Sequence, residues 1–428
     1  MEKPVLLKSV QVLDPRSPWH GQTVDVLIKG DTIADVGNDL KGEGKSLVLT
    51  QEGSAISPGW IDAQAHFREP GEETKEGFTH GLKAASAGGF TTVALLPSTE
   101  PPMDTAASMQ WVINASQRAH EQGIPSKALP MACISERRKG EQLSEMHDLH
   151  QSGAVAFTDD APIDRPGLLQ RALTYAQTHQ KVVIDQPFDE DVNAGGVMHE
   201  GKVSTMMGLT GTPAEAETMR VARDLDVLRY TGGKLHLAVL SSAQGVELVR
   251  AAKREGLQVT CGTSVAHLLY CDEDLSGFQG VLRNAPPFRS ATDREALRQG
   301  VIDGTIDLVV SDHRPEDLEA HDVEFMLSPH GMATLPSAFA MALTGLAEQS
   351  PSEALEGLLR SLTTGPANHL GIDLPVVDKG SGVNLTWFHP TMTHQPVAHS
   401  KGANLPPLGA TTKGQVLGTF LSTRAWTA

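Results

Sequence analysis

The chain has 428 residues, with 52 acidic and 35 basic side chains and a formal net charge of −17. This balance excludes nucleic acid and anionic membranes as expected partners, because both call for a basic protein face. Hydrophobic residues make up 39% of the sequence, yet we find no apolar run that would span a membrane and no signal-peptide core at the N-terminus. Three cysteines without CxxC spacing predict reduced thiols, so we expect a cytoplasmic globular protein.

The chain begins with alternating apolar and polar residues over 5–13 and 24–28, separated by Gly and Asp turns, which predict antiparallel strands. Short apolar runs rich in β-branched residues then alternate with helix-compatible segments, as in parallel βαβ units. The eight runs are 56–66, 90–97, 129–134, 154–158, 181–185, 234–240, 257–261 and 306–311. Residues 193–212 contain five glycines and predict a long loop. From about residue 380 the alternating style returns, at 383–388 and 414–421.

Eight strands that alternate with helices predict an α/β fold, a (β/α)₈ TIM barrel, because right-handed crossovers close such a series economically. We assign residues 56–374 to this barrel. Residues 1–55 and 375–428 are predicted to pair into one small β-sandwich domain, which brings the two ends of the chain together.

Chemistry in such a barrel takes place where the strands end, at the carboxyl edge. Gln64 and His66 follow the first run two residues apart, so they share one strand face. The candidates at the other strand ends are Asp160, Asp185, Val239 and Asp312.

Motifs at these positions occur in a recognisable order. They are PGWID at 58–62, HFREPG at 66–71, FTDD at 157–160, APPFR at 285–289 and SDH at 311–313. Together they resemble the dihydroorotase family of the amidohydrolase superfamily, and the resemblance runs from about residue 5 to residue 425. It implies a binuclear zinc hydrolase of pyrimidine biosynthesis that interconverts carbamoyl aspartate and dihydroorotate, in the branch where an Asp bridges the metals.

The resemblance also implies which residues would act. His66, Asp160 and Asp312 keep metal-site positions, Asp312 would also shuttle the proton, and Arg68 would grip a substrate carboxylate. At three positions where the family has histidine ligands, this chain has Gln64, Asp185 and Val239. A carboxamide is a poor zinc donor and valine has no donor atom, which predicts a degenerate site. Zinc is therefore not expected at full occupancy. His66, Asp160 and Asp312 form either a weak single-metal site or a relic cluster.

The positions expected to hold the substrate have changed as well. Ser98 and Ala285 stand where the family has asparagine, and Glu316 stands where it has histidine. Arg314, at a position where a small residue is usual, would crowd the pocket or pair with a leftover carboxylate. For Arg68 a structural salt bridge with Glu69, Glu316 or Asp312 is an equally open alternative to substrate binding.

These substitutions predict a catalytically inactive dihydroorotase-like protein, a pseudoenzyme that acts as a structural partner of aspartate transcarbamoylase or as a homo-oligomer. The resemblance extends to such degenerate relatives, which keep the barrel and lose histidine ligands. The alternative is an active zinc-dependent dihydroorotase or related cyclic-amide hydrolase with a remodelled mononuclear site. A third hypothesis, a regulatory protein that senses an acidic metabolite through Arg68, has no positive feature in the sequence.

Overall fold

A computed structural model describes residues 3–42, 44–395 and 397–428, and it has the α/β fold that the sequence predicts. The strands are β1 Val5–Val12, β2 Thr23–Lys29, β3 Thr32–Gly37, β4 Leu47–Thr50, β5 Ala55–Pro58, β6 Trp60–Ala65, β7 Phe90–Leu95, β8 Lys127–Pro130, β9 Val182–Asp185, β10 Met198–His199, β11 Gly211–Thr212, β12 Lys234–Leu237, β13 Val259–Ser264, β14 Leu308–Val310, β15 Asn384–His394, β16 Thr412–Leu421 and β17 Arg424–Thr427.

The α-helices are α1 Phe78–Ala87, α2 Ala106–Glu121, α3 Met146–Gln151, α4 Pro166–Thr178, α5 Glu190–Asn193, α6 Lys202–Met207, α7 Glu215–Thr231, α8 Ala243–Arg254, α9 Val265–Leu269, α10 Ala291–Asp303, α11 Leu318–His321, α12 Ala338–Gly345, α13 Pro351–Leu362 and α14 Thr364–Leu370. Short 3₁₀ helices span Glu136–Arg138, Asp272–Gly277, Gly280–Leu282, Phe325–Leu327 and Leu335–Ser337. Across the described residues, no helix combines the length and the apolar character needed to span a membrane.

The two ends of the chain meet in one eight-stranded sheet. Its order is β17-β16-β15-β5-β1-β2-β3, with β4 also paired to β1. The junction between the two ends is the antiparallel pair of β15 and β5, in which Phe388 lies opposite Ala55. The prediction that both ends supply strands to a common sheet is confirmed. The predicted β-sandwich is replaced by this single sheet, because one continuous ladder joins the strands of both ends.

The strand predicted over 56–66 is two strands that Gly59 separates. A Cβ atom at Gly59 would lie 2.0 Å from Asn384 Oδ1 and 2.3 Å from Thr91 Oγ1, so only glycine fits there. The chain therefore leaves the terminal sheet after β5 and enters the parallel sheets with β6.

Two parallel sheets hold the remaining strands expected of the barrel. One has the order β6-β7-β8 and the other the order β14-β13-β12-β9. Single bridges link them, from Ala132 through Phe157 to Val183 on one side and from Ala65 to His313 on the other. The ladders do not close into a continuous barrel, since the fourth predicted run pairs only at Phe157. The α/β prediction holds, and the closed barrel is not shown.

Alternation along the strands separates an interior from an exterior face. In β9, Val182 and Ile184 belong to an inner apolar cluster with Ala238 and Val310, whereas Val183 packs in the outer core with the helices. The carboxyl ends of these strands lie on one side of the molecule, where the chain adds loops and short helices. The interior face is therefore the face that leads to the candidate site.

The long loop predicted over 193–212 contains short elements of regular structure. This stretch contains β10, α6 and β11, and β10 pairs in parallel with β11. Thr212 Oγ1 donates a hydrogen bond of 2.7 Å to Asn193 Oδ1, which fastens the two ends of the stretch. The sequence did not predict these elements, because its glycines have no side chains and so give no apolar periodicity.

Candidate functional site

A cavity of about 580 Å³ opens at the carboxyl ends of the parallel strands. Three arginines and several carboxylates line it, so its wall is strongly polar. The lining includes Gln64, Arg68, Asp160, Gln186, Val239, Arg283, Arg314 and Glu316. The structure thus places most of the residues selected from the sequence at one opening.

Arg314 occupies the centre of the polar cluster beneath this cavity. Its Nη2 and Nη1 atoms donate to the two carboxylate oxygens of Asp160, at 2.7 and 3.1 Å. Its Nε atom donates to Asp312 Oδ1 at 3.1 Å. One guanidinium therefore bridges the two aspartates in a planar, two-pronged grip that suits carboxylates. We call Arg314, Asp160 and Asp312 the arginine bridge.

Electrostatic attraction favours the charged forms of Arg314 and Asp160. Burial disfavours charge on Arg314, but the attraction of Asp160 and Asp312 outweighs burial and raises the pKa of the guanidinium above its ordinary value. Burial would likewise raise the pKa of Asp160, yet the charge of Arg314 holds it below its usual range. The positive charge that a metal ion would bring to these carboxylates is supplied here by the chain itself.

Three neutral side chains complete the hydrogen bonding of the two aspartates. Ser98 Oγ donates to Asp160 Oδ2 at 2.5 Å, and Gln186 Nε2 donates to Asp160 Oδ1 at 2.7 Å. Gln64 Nε2 donates to Asp312 Oδ1 at 3.0 Å. Gln64 therefore presents its N–H group to the carboxylate, the opposite of a metal ligand that offers a lone pair.

His66 uses both ring nitrogens within the protein. The backbone N–H of Arg68 donates to its Nδ1 at 2.9 Å, so the ring proton sits on Nε2 and is donated to the carbonyl of Ser98 at 2.8 Å. Burial and then the charge of Arg68 lower its pKa to about 4, so the ring is neutral at pH 7. The imidazole is a structural link between two loops, with no lone pair left for a metal.

Asp185 does not lie in the cluster where we placed it. Its Oδ1 accepts the backbone N–H of Ile163 at 2.8 Å, and it lies against Asp224 and Arg223 on the outer side of β9. Burial, followed by the charge of Asp224, raises its pKa. The residue that reaches the cluster from this strand end is Gln186, which our sequence reasoning missed. The alternation that places Val182 and Ile184 inside would have identified it.

Val239 lies where we expected it, in the wall of the cavity. Its side chain is buried and joins the inner apolar cluster with Ala238. Position 239 therefore contributes packing and no donor atom to this end of β12.

Arg68 and Glu316 form a second ion-pair group at the rim. Arg68 Nη2 lies 2.5 Å from Glu316 Oε1 and Nη1 lies 3.3 Å from Glu72 Oε2. Lys75 Nζ binds the other oxygen of Glu316 at 2.8 Å. Of the alternatives for Arg68, the geometry favours the salt bridge with Glu316 over an arginine that is free to grip a substrate.

Four residues around the cavity have left-handed backbone conformations. Their φ angles are 59° at Arg68, 47° at Asp160, 48° at Val239 and 49° at Asp312. For a residue other than glycine, this backbone conformation costs about 1–3 kcal/mol of folding free energy. It persists only where the surrounding structure enforces it, which happens most often at functional sites. The strand ends therefore have the strained backbone that is typical of functional sites, although their side chains are not a metal-binding set.

These donors do not fit the zinc pair that the family resemblance implies. Within the parts of the chain that the structure describes, no three His, Cys, Asp or Glu side chains are grouped to hold a metal ion. The amide groups of Gln64 and Gln186 donate to carboxylates, Val239 has no donor, and Arg314 brings a full positive charge to the position between Asp160 and Asp312. A cation would have to displace that guanidinium first.

Comparison with known proteins gives consistent results. Residues 53–245 match the family described as "Dihydro-orotase-like". The chain is 38% identical to the dihydroorotase of Pelotomaculum thermopropionicum, covering 98% of this chain and 97% of the relative. It is 35% identical to the dihydroorotase of Syntrophus aciditrophicus, covering 98% of each. Among solved structures, the L-hydantoinase (dihydropyrimidinase) from Arthrobacter aurescens has the same fold, with a TM-score of 0.83 at 20% identity, covering 98% of this chain and 95% of that one.

Proposed function

The chain belongs to the dihydroorotase family of cyclic amidohydrolases, and from that membership we propose that it is a member without hydrolytic activity, retained as a structural partner in pyrimidine biosynthesis. The observation that carries this proposal is the arginine bridge. Hydrolysis in the family depends on metal ions that turn a bound water into hydroxide. In this chain the carboxylates that would serve those ions are neutralised by Arg314 instead.

The proposal includes the finer description of the fold. We take the two parallel sheets to be parts of one eight-stranded (β/α)₈ barrel, with Phe157 as the remnant of its fourth strand. The single bridges at Phe157 and between Ala65 and His313 support this description, because they join the ladders in chain order. The arginine bridge would then lie at the carboxyl edge of the barrel, where the catalytic groups of such folds lie.

A second candidate function is supported by a different observation. The relatives above are named dihydroorotases and match almost the whole chain at 35–38% identity, which favours an active zinc-dependent dihydroorotase or related cyclic-amide hydrolase. In that case Asp160 and Asp312 would have to exchange Arg314 for one zinc ion, with Asp312 also serving as the proton shuttle. The two candidates therefore differ in metal content and in turnover.

We expect the purified protein to contain well under one zinc per chain and to show dihydroorotase turnover at background, because Arg314 already satisfies Asp160 and Asp312. The zinc content is measured by mass spectrometry after dialysis against zinc. Turnover is measured in both directions, with dihydroorotate and with carbamoyl aspartate as substrates. The P. thermopropionicum enzyme serves as the positive control. Near-stoichiometric zinc with turnover that Asp312→Asn abolishes would establish the second candidate instead.

The structural role calls for a partner, and we propose aspartate transcarbamoylase, whose product is the substrate of the family's reaction. We expect the two proteins of the native host to elute together in size exclusion with light scattering, as a complex larger than either alone. Because the chain carries a net charge of −17, association should be faster at low salt than at moderate salt. Two separate peaks under both conditions would contradict the partnership.

A further inference from the structure

The surface beside the cavity mouth carries a group of exposed apolar side chains. They are Phe278, Leu318, Val323, Met326 and Leu327, and we call them the apolar patch. Leu318 and Leu327 are 70% and 69% exposed, and exposed apolar side chains are informative when several of them form a patch. Contiguous apolar surface with a polar rim marks sites of protein association. We propose that the apolar patch is the surface on which the partner enzyme of the proposed function docks, an inference that rests on that function.

The two segments that form the patch are fixed to each other. The ring of Phe278 packs edge-on against Phe325, with centroids 6.5 Å apart at 87°. Arg283 donates through Nη1 to the carbonyl of Ser328, and the backbone N–H of Gly331 donates to the carbonyl of Arg283 at 3.0 Å. These contacts hold the two segments in place, which lowers the entropy lost when a partner binds.

Exposed carboxylates accompany the apolar patch in both of its segments. They are Glu273, Asp274, Glu319, Asp322 and Glu324, and we call them the acidic rim. Segments 272–282 and 315–328 contain no lysine or arginine. Asp274 lies 4.0 Å from Arg294, and the other four form no ion pair among the residues that the structure describes. Glu319, Asp322 and Glu324 are thus left with charge that no internal cation neutralises.

This charge decides the kind of occupant. A two-fold interface with a second copy would place the same unneutralised carboxylates against one another, at a cost that rises as water is excluded. A different protein with an apolar centre and a rim of lysine and arginine meets both features of the patch. We therefore commit to a heterologous partner with a basic rim, the proposed transcarbamoylase, over self-association.

The apolar part is tested with Leu318→Ser/Leu327→Ser in the full-length protein. We expect its affinity for aspartate transcarbamoylase of the same host, measured by biolayer interferometry, to fall at least about tenfold, since central apolar anchors dominate such interfaces. Met219→Ser/Tyr230→Ser is the matched control, because it removes two exposed apolar side chains from α7 and should leave affinity within about twofold.

The acidic rim is tested with Asp322→Lys/Glu324→Lys. The matched control is Glu353→Lys/Glu356→Lys, which makes the same charge change on α13. At low salt, the rim variant should associate with the transcarbamoylase about tenfold more slowly than this control. Wild-type binding that the patch variants do not weaken, or that the controls weaken equally, overturns the docking surface and leaves the partnership standing. No binding by the wild type overturns the partnership itself, and the docking surface with it.

Discussion

Replacing Arg314 with alanine is expected to lower the free energy of unfolding by about 3 kcal/mol or more, because it leaves two buried carboxylates without their cation. Asp160 and Asp312 have side chains only 2% and 5% exposed in their ion pairs with Arg314. The Arg314 side chain is itself only 18% exposed, and it contacts both aspartates at hydrogen-bond distance. Urea denaturation followed by circular dichroism measures the loss.

Two further variants make this result specific to the arginine bridge. Arg229→Ala removes an arginine that also pairs with two carboxylates, Asp226 and Glu255, but at the surface, so we expect less than about 1 kcal/mol. In the Arg314→Ala background, Asp160→Asn/Asp312→Asn removes the unpaired charges and should recover more than half of the loss. Equal stability of wild type and Arg314→Ala would show that the bridge does not stabilise the fold.

Zinc binding should return only when Arg314 is removed together with the restoration of histidine ligands. The restoring substitutions are Gln64→His, Gln186→His and Val239→His, since Gln186 and not Asp185 faces the cluster. With Arg314 in place we expect no measurable gain, because the guanidinium holds both carboxylates and repels a divalent cation. With Arg314→Ala added, zinc affinity should rise by at least about 100-fold over wild type, as the ligand set is completed.

Competition against a chromogenic chelator measures this affinity on metal-free protein, and circular dichroism checks that each variant is folded. Adding Asp160→Asn to the four substitutions removes a ligand and should abolish most of the gain. If the three histidines alone bind zinc as tightly as the four-substitution variant, Arg314 is not the barrier. Hydrolysis is a separate readout, since the family resemblance implies that Ser98, Ala285 and Glu316 also stand at substrate-binding positions.

The sequence predicted much of this architecture, because strands and amphipathic helices leave local patterns. The terminal strands, the parallel strands and their order along the chain follow from alternation and β-branched runs. The break at Gly59 could not be predicted from these local patterns, since it depends on Asn384 and Thr91, which are close to Gly59 only after folding. The β-sandwich was wrong for the same reason, because strand pairing across the two ends of the chain decides whether they make one sheet or two.

The sequence predicted which positions form the candidate site better than it predicted the contacts between their side chains. Motif spacing located Gln64, His66, Asp160 and Asp312, and the structure brings Gln64, Asp160 and Asp312 into one hydrogen-bonded cluster. Asp185 was misplaced by one residue, and in a strand one residue reverses the face. Pairing of Arg314 with a leftover carboxylate was one of the two alternatives predicted from the sequence, and the structure confirms it. Its simultaneous contact with two aspartates was not predictable, because the contact with Asp160 joins positions 154 residues apart.

The arginine bridge also balances the charge of Asp160 and Asp312 within the chain itself. Stabilisation by a bound ion follows mass action, so it varies with the free concentration that a cell maintains. A guanidinium carried by the chain is present from synthesis onward in a fixed one-to-one ratio with its aspartates. Under the proposed function, the fold would need no metal-loading step, and we expect chelation to leave its stability unchanged. A structural subunit of this kind would mature at the same rate in zinc-poor and zinc-rich cells, and so would an assembly built on it.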